Sequence, residues 1–311
     1  MITIIHGSDL HFGEPHDSRA AETFLAVTHD LEPDLLVLSG DFTQRAKVQE
    51  FQEAREYLDR LPDVPRVVTP GNHDVPLYRV WERLVRPFDN YRDHISPELD
   101  SVTRVPGMTV VSLNSAAPRR AIVNGRIDAH QIEFARDVFA RSEPHDLKAV
   151  VAHHHLAPAP DYEGDHPLPE ARKILDAFES MGVELVMGGH LHRAYIGNSL
   201  DVYPGEDRDR GIVVVQSGTT TSRRGRARER AKTTFNLLRI HPDRLEIVHY
   251  MHFREAGGFA PFSFHVYPRG GRPFFSDPPA MGRAGEESGP ASGDPPPSPE
   301  ELGVSYLKGT S

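Results

Sequence analysis

Short apolar runs recur along the first two-thirds of the chain, each followed within a few residues by a polar cluster. They lie at residues 2–5, 35–38, 66–69, 108–113, 148–152 and 183–187 and are rich in Val, Ile and Leu. Runs this short and continuous predict parallel strands covered on both faces. Between them stand charged stretches with helical character, at about 18–31, 47–61, 128–141 and 169–181. Pro62 and Pro65 close the second of these helices, because proline cannot continue the hydrogen-bond ladder. Strand and helix alternate throughout, which predicts an α/β fold.

After His192 the pattern changes. Residues 211–217, 233–240 and 244–251 are short, β-rich and joined by turns, and no helix of any length is evident among them. This predicts a second, largely antiparallel sheet. Two strand groups flanked by helices indicate a layered α/β sandwich rather than an open doubly wound sheet. From about residue 277 Pro, Gly, Ser and Glu dominate, as in Pro278-Pro279 and Pro295-Pro296-Pro297. Such a composition buries too little surface to offset chain entropy. The expected division is therefore a folded domain over residues 1–276 and a disordered tail over 277–311.

Composition narrows the chemistry. The 311 residues include no cysteine, which excludes disulfides and thiolate metal sites and leaves His, Asp and Asn as ligands. No stretch approaches the roughly 20 apolar residues needed to span a bilayer, and the N-terminus is too short and uncharged for a secretory signal. A cytoplasmic location is expected. The formal net charge of −10 repels polyanions and argues against extended nucleic-acid binding. One segment runs against it: Arg223, Arg224, Arg226, Arg228, Arg230 and Lys232, with Glu229 the single acid among them.

Five polar clusters stand where buried strands would end. They are Asp9-Leu10-His11, Gly40-Asp41, Gly71-Asn72-His73-Asp74, His153-His154-His155 and Gly189-His190-Leu191-His192. Open α/β sheets bind ligands beyond the carboxyl ends of their strands, so these side chains are expected to meet in one crevice. Asp9 and His11, two apart in a loop, are able to face one ion; the two carboxylate oxygens of Asp41 suit a bridge between two. Asn72 offers a neutral amide oxygen. His153, His190 and His192 supply imidazole nitrogen, favoured by zinc, iron, manganese and nickel. Any one cluster alone reads as a turn, a helix cap or a satisfied buried histidine. All five in this order, each at a strand end, point to a site for two metals.

This order of motifs resembles the calcineurin-like metallophosphoesterases, whose pattern is D-x-H, G-D, G-N-H-D/E, H and G-H-x-H. The resemblance covers roughly residues 1–265. It implies a four-layer αββα sandwich holding two divalent or trivalent transition-metal ions, Mn, Fe or Zn. On matching positions one ion takes Asp9, His11, Asp41 and His192, and the other takes Asp41, Asn72, His153 and His190. His73 becomes the acid–base residue and Asp74 its orienting partner. The family has one histidine where this chain has three; His153 follows the strand directly, with His154 the alternative. The implied reaction is phosphoester hydrolysis by hydroxide bridging two ions, which clamp the attacking and leaving oxygens.

Within the group the chain looks most like the bacterial class III cyclic nucleotide phosphodiesterases, making a small phosphodiester such as cyclic AMP the expected substrate. Other phosphoesterases (a nuclease, a glycerophosphodiesterase, a lipid-precursor pyrophosphatase) and a non-catalytic scaffold on the same fold are the alternatives. Retention of His73 and of every ligand position argues against the scaffold. The stretch Gly218-Thr219-Thr220-Thr221-Ser222 and the arginines after it read as a solvated hairpin loop, with a phosphate-holding loop as the alternative. Tyr78 and Trp81 read as residues capping the core, with base stacking as the alternative. A homodimer is left open.

Overall fold

The apolar runs form strands of two six-stranded sheets, all inner but the one at residues 66–69, which lies at an edge, in a computed structural model that describes residues 1–119, 124–158, 166–204 and 211–269. The chain begins with β1 (Ile2–Gly7), α1 (Ser18–Asp30), β2 (Leu35–Leu38), α2 (Val48–Leu58) and β3 (Arg66–Val68). Two short helices, α3 (Val80–Val85) and α4 (Asp89–His94), precede β4 (Ser101–Val105) and β5 (Met108–Ser112). Then come α5 (Ala129–Phe139), β6 (Leu147–Val151), α6 (Ala171–Ser180) and β7 (Val183–Gly188). The remaining strands are β8 (Tyr195–Asn198), β9 (Val213–Gln216), β10 (Thr234–Ile240), β11 (Arg244–Phe253) and β12 (Gly258–Pro268).

Successive residues of each inner strand serve different layers, because side chains alternate across a pleated sheet. Ile4, Leu35 and Val37 face Val110, Ala149, Val151, Leu185 and Met187 in the core between the two sheets. Their neighbours Ile5, Leu36 and Leu38 instead pack on Ala21 and Phe24 of α1 and on Phe51, Ala54 and Leu58 of α2. On the far side Val111, Val150 and Val186 pack on Ala135 and Phe139 of α5 and on Leu175 and Phe178 of α6. The order is helix, sheet, sheet, helix, the four-layer αββα sandwich expected. Burial on both faces explains why these strands read as continuous apolar runs; each such side chain contributes about 1.5–3 kcal/mol.

One expectation is corrected. The strands after His192 do not form a sheet of their own; they extend both sheets. The first sheet runs β12-β11-β10-β1-β2-β3 and the second β4-β5-β6-β7-β9-β8. β10 lies antiparallel beside β1, whereas β9 continues the parallel set beside β7. Leu237 and Leu238 enter different cores, so β10 fits only an inner position with cover on both sides. Strands β4, β8 and β12 and helices α3 and α4 are additions to the reading; most of their residues are partly or fully exposed, so they carry little apolar signal. The boundary at residue 276 and the tail 277–311 lie outside the described residues.

Strands β1, β2 and β3 are mutually parallel, as are β5, β6, β7 and β9. Their carboxyl ends therefore open on one edge of the sandwich, and the loops leaving them carry all five clusters.

Candidate metal centre

Three of the five strand ends, those of β1, β2 and β7, turn sharply where they present their polar residues. Asp9, His11, Asp41, His190 and His192 have φ of 55°, 49°, 53°, 73° and 53°. Left-handed backbone costs a non-glycine residue roughly 1–2 kcal/mol, so the surrounding structure must impose it. It does so by pairing loops: Asp9 N–H donates to Gly40 O at 3.0 Å and His11 N–H to Asp41 O at 2.9 Å. A third strand contributes from β9. Thr219 Oγ1 donates to Asp9 O at 2.8 Å, and Thr221 Oγ1 donates to Leu10 O at 2.7 Å.

The glycines of the clusters are explained by contact with the ligand side chains. A Cβ on Gly40 would sit 2.6 Å from His153 Nδ1, and one on Gly189 would sit 2.5 Å from Asp9 Oδ2. On Gly71 it would overlap the Asp41 carboxylate, with Asp41 Cγ at 2.7 Å. Backbone and ligand approach too closely for any other residue.

The structure brings Asp9, His11, Asp41 and His192 together, all buried, with one ligand atom from each lying within 4.8 Å of the others. His192 Nε2 lies 3.0 Å from Asp9 Oδ1 and 3.0 Å from His11 Nε2, and His11 Nε2 lies 3.8 Å from Asp41 Oδ2. A second group adjoins it. His153 Nε2 is 3.3 Å from Asp41 Oδ2 and 3.2 Å from Asn72 Oδ1, which is itself 3.0 Å from His190 Nδ1. Asp41 Oδ2 thus faces both groups.

Hydrogen bonds aim these donors. Asp9 Oδ2 accepts from Ser8 Oγ at 2.6 Å and from His190 N–H at 3.0 Å; Asp41 Oδ1 accepts from His73 N–H at 2.8 Å. The other oxygen of each carboxylate, Asp9 Oδ1 and Asp41 Oδ2, is buried without a hydrogen-bond donor. His153 Nδ1–H donates to Ser39 O at 2.7 Å and His11 Nδ1–H to Thr43 O at 3.3 Å, because a carbonyl only accepts. Both rings are thereby held with Nε2 as a lone pair facing the cluster, the tautomer a metal requires. Two bare carboxylate oxygens and several imidazole lone pairs in a dry crevice fit cations, since buried anionic oxygens are costly unless paired. The absence of sulfur in the set suits Mn, Fe or Zn.

The same crowding perturbs the acids and bases. Burial raises the pKa of Asp41, but His153, His73 and His11 outweigh it and hold the carboxyl well below its ordinary range. Burial lowers His153, yet Asp41, Asp9 and the Ser39 carbonyl raise it to about 9. His190 falls to about 3 through burial and the nearby His153. Of the three adjacent histidines, His153 reaches Asp41 and Asn72. His154 turns away: its Nδ1 lies 2.8 Å from Ser115 Oγ, and its ring packs 4.6 Å from that of His190.

Asp74 is corrected. It does not touch the His73 ring, whose Nδ1–H donates to Gln44 O at 2.9 Å. The Asp74 carboxylate accepts instead from Thr43 N–H at 2.9 Å, Gly71 N–H at 2.9 Å, Phe42 N–H at 3.2 Å and Thr43 Oγ1 at 3.1 Å. It ties the loop after β2 to the loop after β3. Burial and the Asp41 charge push it up to about 7. His73 itself meets the His11 ring edge-on, with centroids 4.8 Å apart.

Two further expectations are overturned. Residues 219–222 are fully buried beneath the Asp9 loop rather than solvated, and Arg226 N–H donates to His192 O at 2.9 Å. Arg224 and Arg226 line a cleft of about 200 Å³ together with Asp41, Asn72, His73 and His190. Tyr78 and Trp81, 71% and 78% exposed, cap no core. Gln44 and Arg45, also lining the cleft, were missed. They follow Asp41 by three and four positions, and that proximity was the available signal.

Residues 2–194 match the family described as calcineurin-like phosphoesterase. A probable cyclic nucleotide phosphodiesterase of Synechococcus sp. is 27% identical over 179 residues, which cover 56% of this chain and 64% of that protein. The match thus spans under two-thirds of the relative. Among solved structures, a purple acid phosphatase from yellow lupin (Lupinus luteus) seeds superposes with a TM-score of 0.64 at 14% identity. That match covers 86% of this chain and 54% of the lupin chain. A dimetal phosphatase from Danio rerio superposes with a TM-score of 0.54 at 12% identity, covering 86% and 99%. These likenesses concern the fold.

Proposed function

Because the chain belongs to the calcineurin-like phosphoesterase family, we propose that it hydrolyses small phosphodiesters at a two-metal site, with cyclic nucleotides such as cyclic AMP as its substrates. The observation that carries the reading is the pair of carboxylates, each with one oxygen fixed by protein donors and the other bare, buried and aimed at imidazole nitrogens. Asp9, His11, Asp41 and His192 would hold one ion; Asp41, Asn72, His153 and His190 would hold the other. Bound there, two cations neutralise phosphate charge and lower the pKa of water, the chemistry such pairs supply.

The remaining work falls to the chain. His73 lines the cleft, and the Gln44 carbonyl fixes its ring. Its protonated form donates to the departing alkoxide oxygen, help typically worth roughly 10²–10⁴ in rate. Asp74 supports this indirectly, by locking the backbone that carries His73. The β1, β2 and β9 loops shield the ligands from water; Asp9, His11 and Asp41 are at most 1% exposed.

The cyclic nucleotide choice is supported by the name of the Synechococcus relative. A net charge of −10 disfavours a nuclease acting on long nucleic acid, and the complete donor set disfavours a non-catalytic scaffold. A cytoplasmic site of action accords with a chain that has no cysteine. No helix among the described residues is long and apolar enough to cross a membrane.

The test is a substrate panel on protein reconstituted with Mn, Fe or Zn: cyclic AMP, cyclic GMP, 2′,3′-cyclic nucleotides, bis(p-nitrophenyl) phosphate, glycerophosphodiesters and single-stranded DNA. Turnover of the small diesters is expected. Turnover of monoesters alone overturns the diesterase reading, and active protein without transition metal overturns the site. His73→Ala should keep its metal while losing roughly 10²–10⁴ in kcat on alkoxide leaving groups.

A further inference from the structure

The cleft above the ligands is lined by Arg45, Arg224 and Arg226, three guanidiniums in a chain whose net charge is −10. They come from two distant segments, Arg45 from the connection between β2 and α2 and the others from that between β9 and β10. Their neighbours in the basic run are differently placed. Arg223 donates to Asp17 Oδ2 at 2.9 Å, and Arg228 lies 3.8 Å from Glu229 and over the Phe262 ring.

Arg224 has no such partner among the described residues. Its guanidinium is more than half buried, and its side-chain hydrogen bond goes to the neutral Gln44 Oε1 at 2.9 Å, with no ion pair formed to a carboxylate. Burial lowers its pKa; Asp41 and Asp9 raise it, and Arg226 and Arg45 lower it by repulsion. Arg45 likewise makes no ion pair among the described residues; its guanidinium lies 4.8 Å from the centre of the exposed Tyr78 ring. Arg224, partly desolvated beside the like charges of Arg226 and Arg45, is a cation suited to an anion in the cleft. Gln44 and Tyr78 hold the two forks in place beforehand, so little side-chain entropy is left to lose on binding. A diester carries a single charge, which cations held by the residues around Asp41 would address. A further anionic group is what Arg224 and Arg45 suit.

We propose that among small phosphodiesters, cyclic nucleotides included, those bearing a second, terminal phosphate are preferred, because Arg45 and Arg224 hold that phosphate at the cleft mouth while the scissile group meets the residues around Asp41. The inference rests on the phosphodiesterase reading and adds a charge requirement to it. Arginine suits the role because its planar fork matches phosphate oxygens in pairs.

The experiment compares two chromogenic diesters on the metal-reconstituted protein: thymidine 5′-(p-nitrophenyl phosphate) and the same compound carrying a 3′-phosphate. Both release p-nitrophenolate, and they differ only in the terminal group. The expected result is kcat/KM higher by roughly tenfold or more for the phosphorylated ester. That preference should collapse toward one in Arg45→Ala and Arg224→Ala, and survive in part in Arg224→Lys, which keeps the charge but loses the fork. Calorimetry gives a readout independent of turnover: thymidine 3′,5′-bisphosphate should bind tighter than thymidine 5′-phosphate, with a steep salt dependence. Equal turnover and equal binding of each pair in the native protein overturn the inference and leave the diesterase reading standing. Failure to hydrolyse either ester overturns both.

Discussion

Replacing Gly71 with alanine isolates the positioning of one carboxylate. Gly71 is not in the left-handed region, so alanine suits its backbone and any penalty comes from the added methyl. That Cβ would overlap Asp41 Oδ1 and stand 2.5 Å from the Asp41 backbone nitrogen, where ordinary contact begins at 3.4 Å, so the carboxylate and the backbone that carries it must retreat by about 0.9 Å or more. The retreat stretches the 2.8 Å bond from His73 N–H to Asp41 Oδ1 and re-aims Oδ2, which faces His11 at 3.8 Å and His153 at 3.3 Å. Misplacements of about 1 Å cost on the order of 10²-fold in rate, so a loss of roughly 10–100-fold in metal affinity and kcat is expected. Stability changes less. Overpacking costs about 1–3 kcal/mol, and the reduced freedom of the unfolded chain returns about 0.4–1 kcal/mol.

The assay is metal content after dialysis at fixed free Mn, read beside kcat on bis(p-nitrophenyl) phosphate and a thermal melt. Gly107→Ala supplies the contrast. Gly107 has φ of 87° in the turn between β4 and β5, at the opposite end of the sheet from the strand ends that carry the ligands, and only Ile2 Cδ1 at 3.6 Å lies near its Cβ direction. It should lose about 1–2 kcal/mol of stability and keep its metal. Gly71→Ala retaining native metal content and turnover would refute the reasoning that the cluster glycines exist to admit the ligands.

Two other predictions follow from groups behind the site. Asp74→Asn should lower stability by about 1–3 kcal/mol, because its amide nitrogen leaves two of the four donors without an acceptor, while removal of a charge that burial and Asp41 disfavour offsets part of the cost. It should cost less in kcat on alkoxide leaving groups than His73→Ala does; a loss as large as that of His73→Ala, with unchanged stability, would mean that Asp74 acts through the ring after all. His249 is buried on β11 with Nδ1 2.8 Å from Asn236 Oδ1, and burial, then Arg228 and His265, lowers its pKa from 6.5 to about 3. The unfolded chain therefore takes up a proton that the folded one refuses. This contribution is fully present above pH 6.5 and is lost toward pH 3, by at most about 1.4 kcal/mol per unit. Urea denaturation of His249→Gln across that range should show a shallower pH slope than the native protein, and an identical slope would remove His249 from the account.

The order of the layers was legible because the physics involved is local. Runs such as residues 35–38 are apolar at every position only when both faces are covered, and α2 ends within a few residues of the prolines that close it. The donor residues were legible for a related reason: parallel strands deliver their next few residues to one edge, so Asp9, Asp41, Asn72, His153 and His190 needed only to follow strands. Partnership across the fold left no such trace. The fates of β9 and β10, the Gln44 carbonyl under His73 and the Arg224–Gln44 bond link segments up to 238 residues apart. Asp74 stands beside His73 in the chain, yet its carboxylate points into the loop of Phe42 and Thr43.

What the sequence determined by itself was the layer order, the strand ends and which polar residues stand at them, since each depends on residues within one strand or one turn. What only the tertiary structure decided was the aim of those atoms and the company they keep. Which carboxylate oxygen is left bare, which of three histidines faces Asp41, and that three arginines meet over the site all depend on hydrogen bonds and burial between loops remote in the chain, where periodicity carries no information.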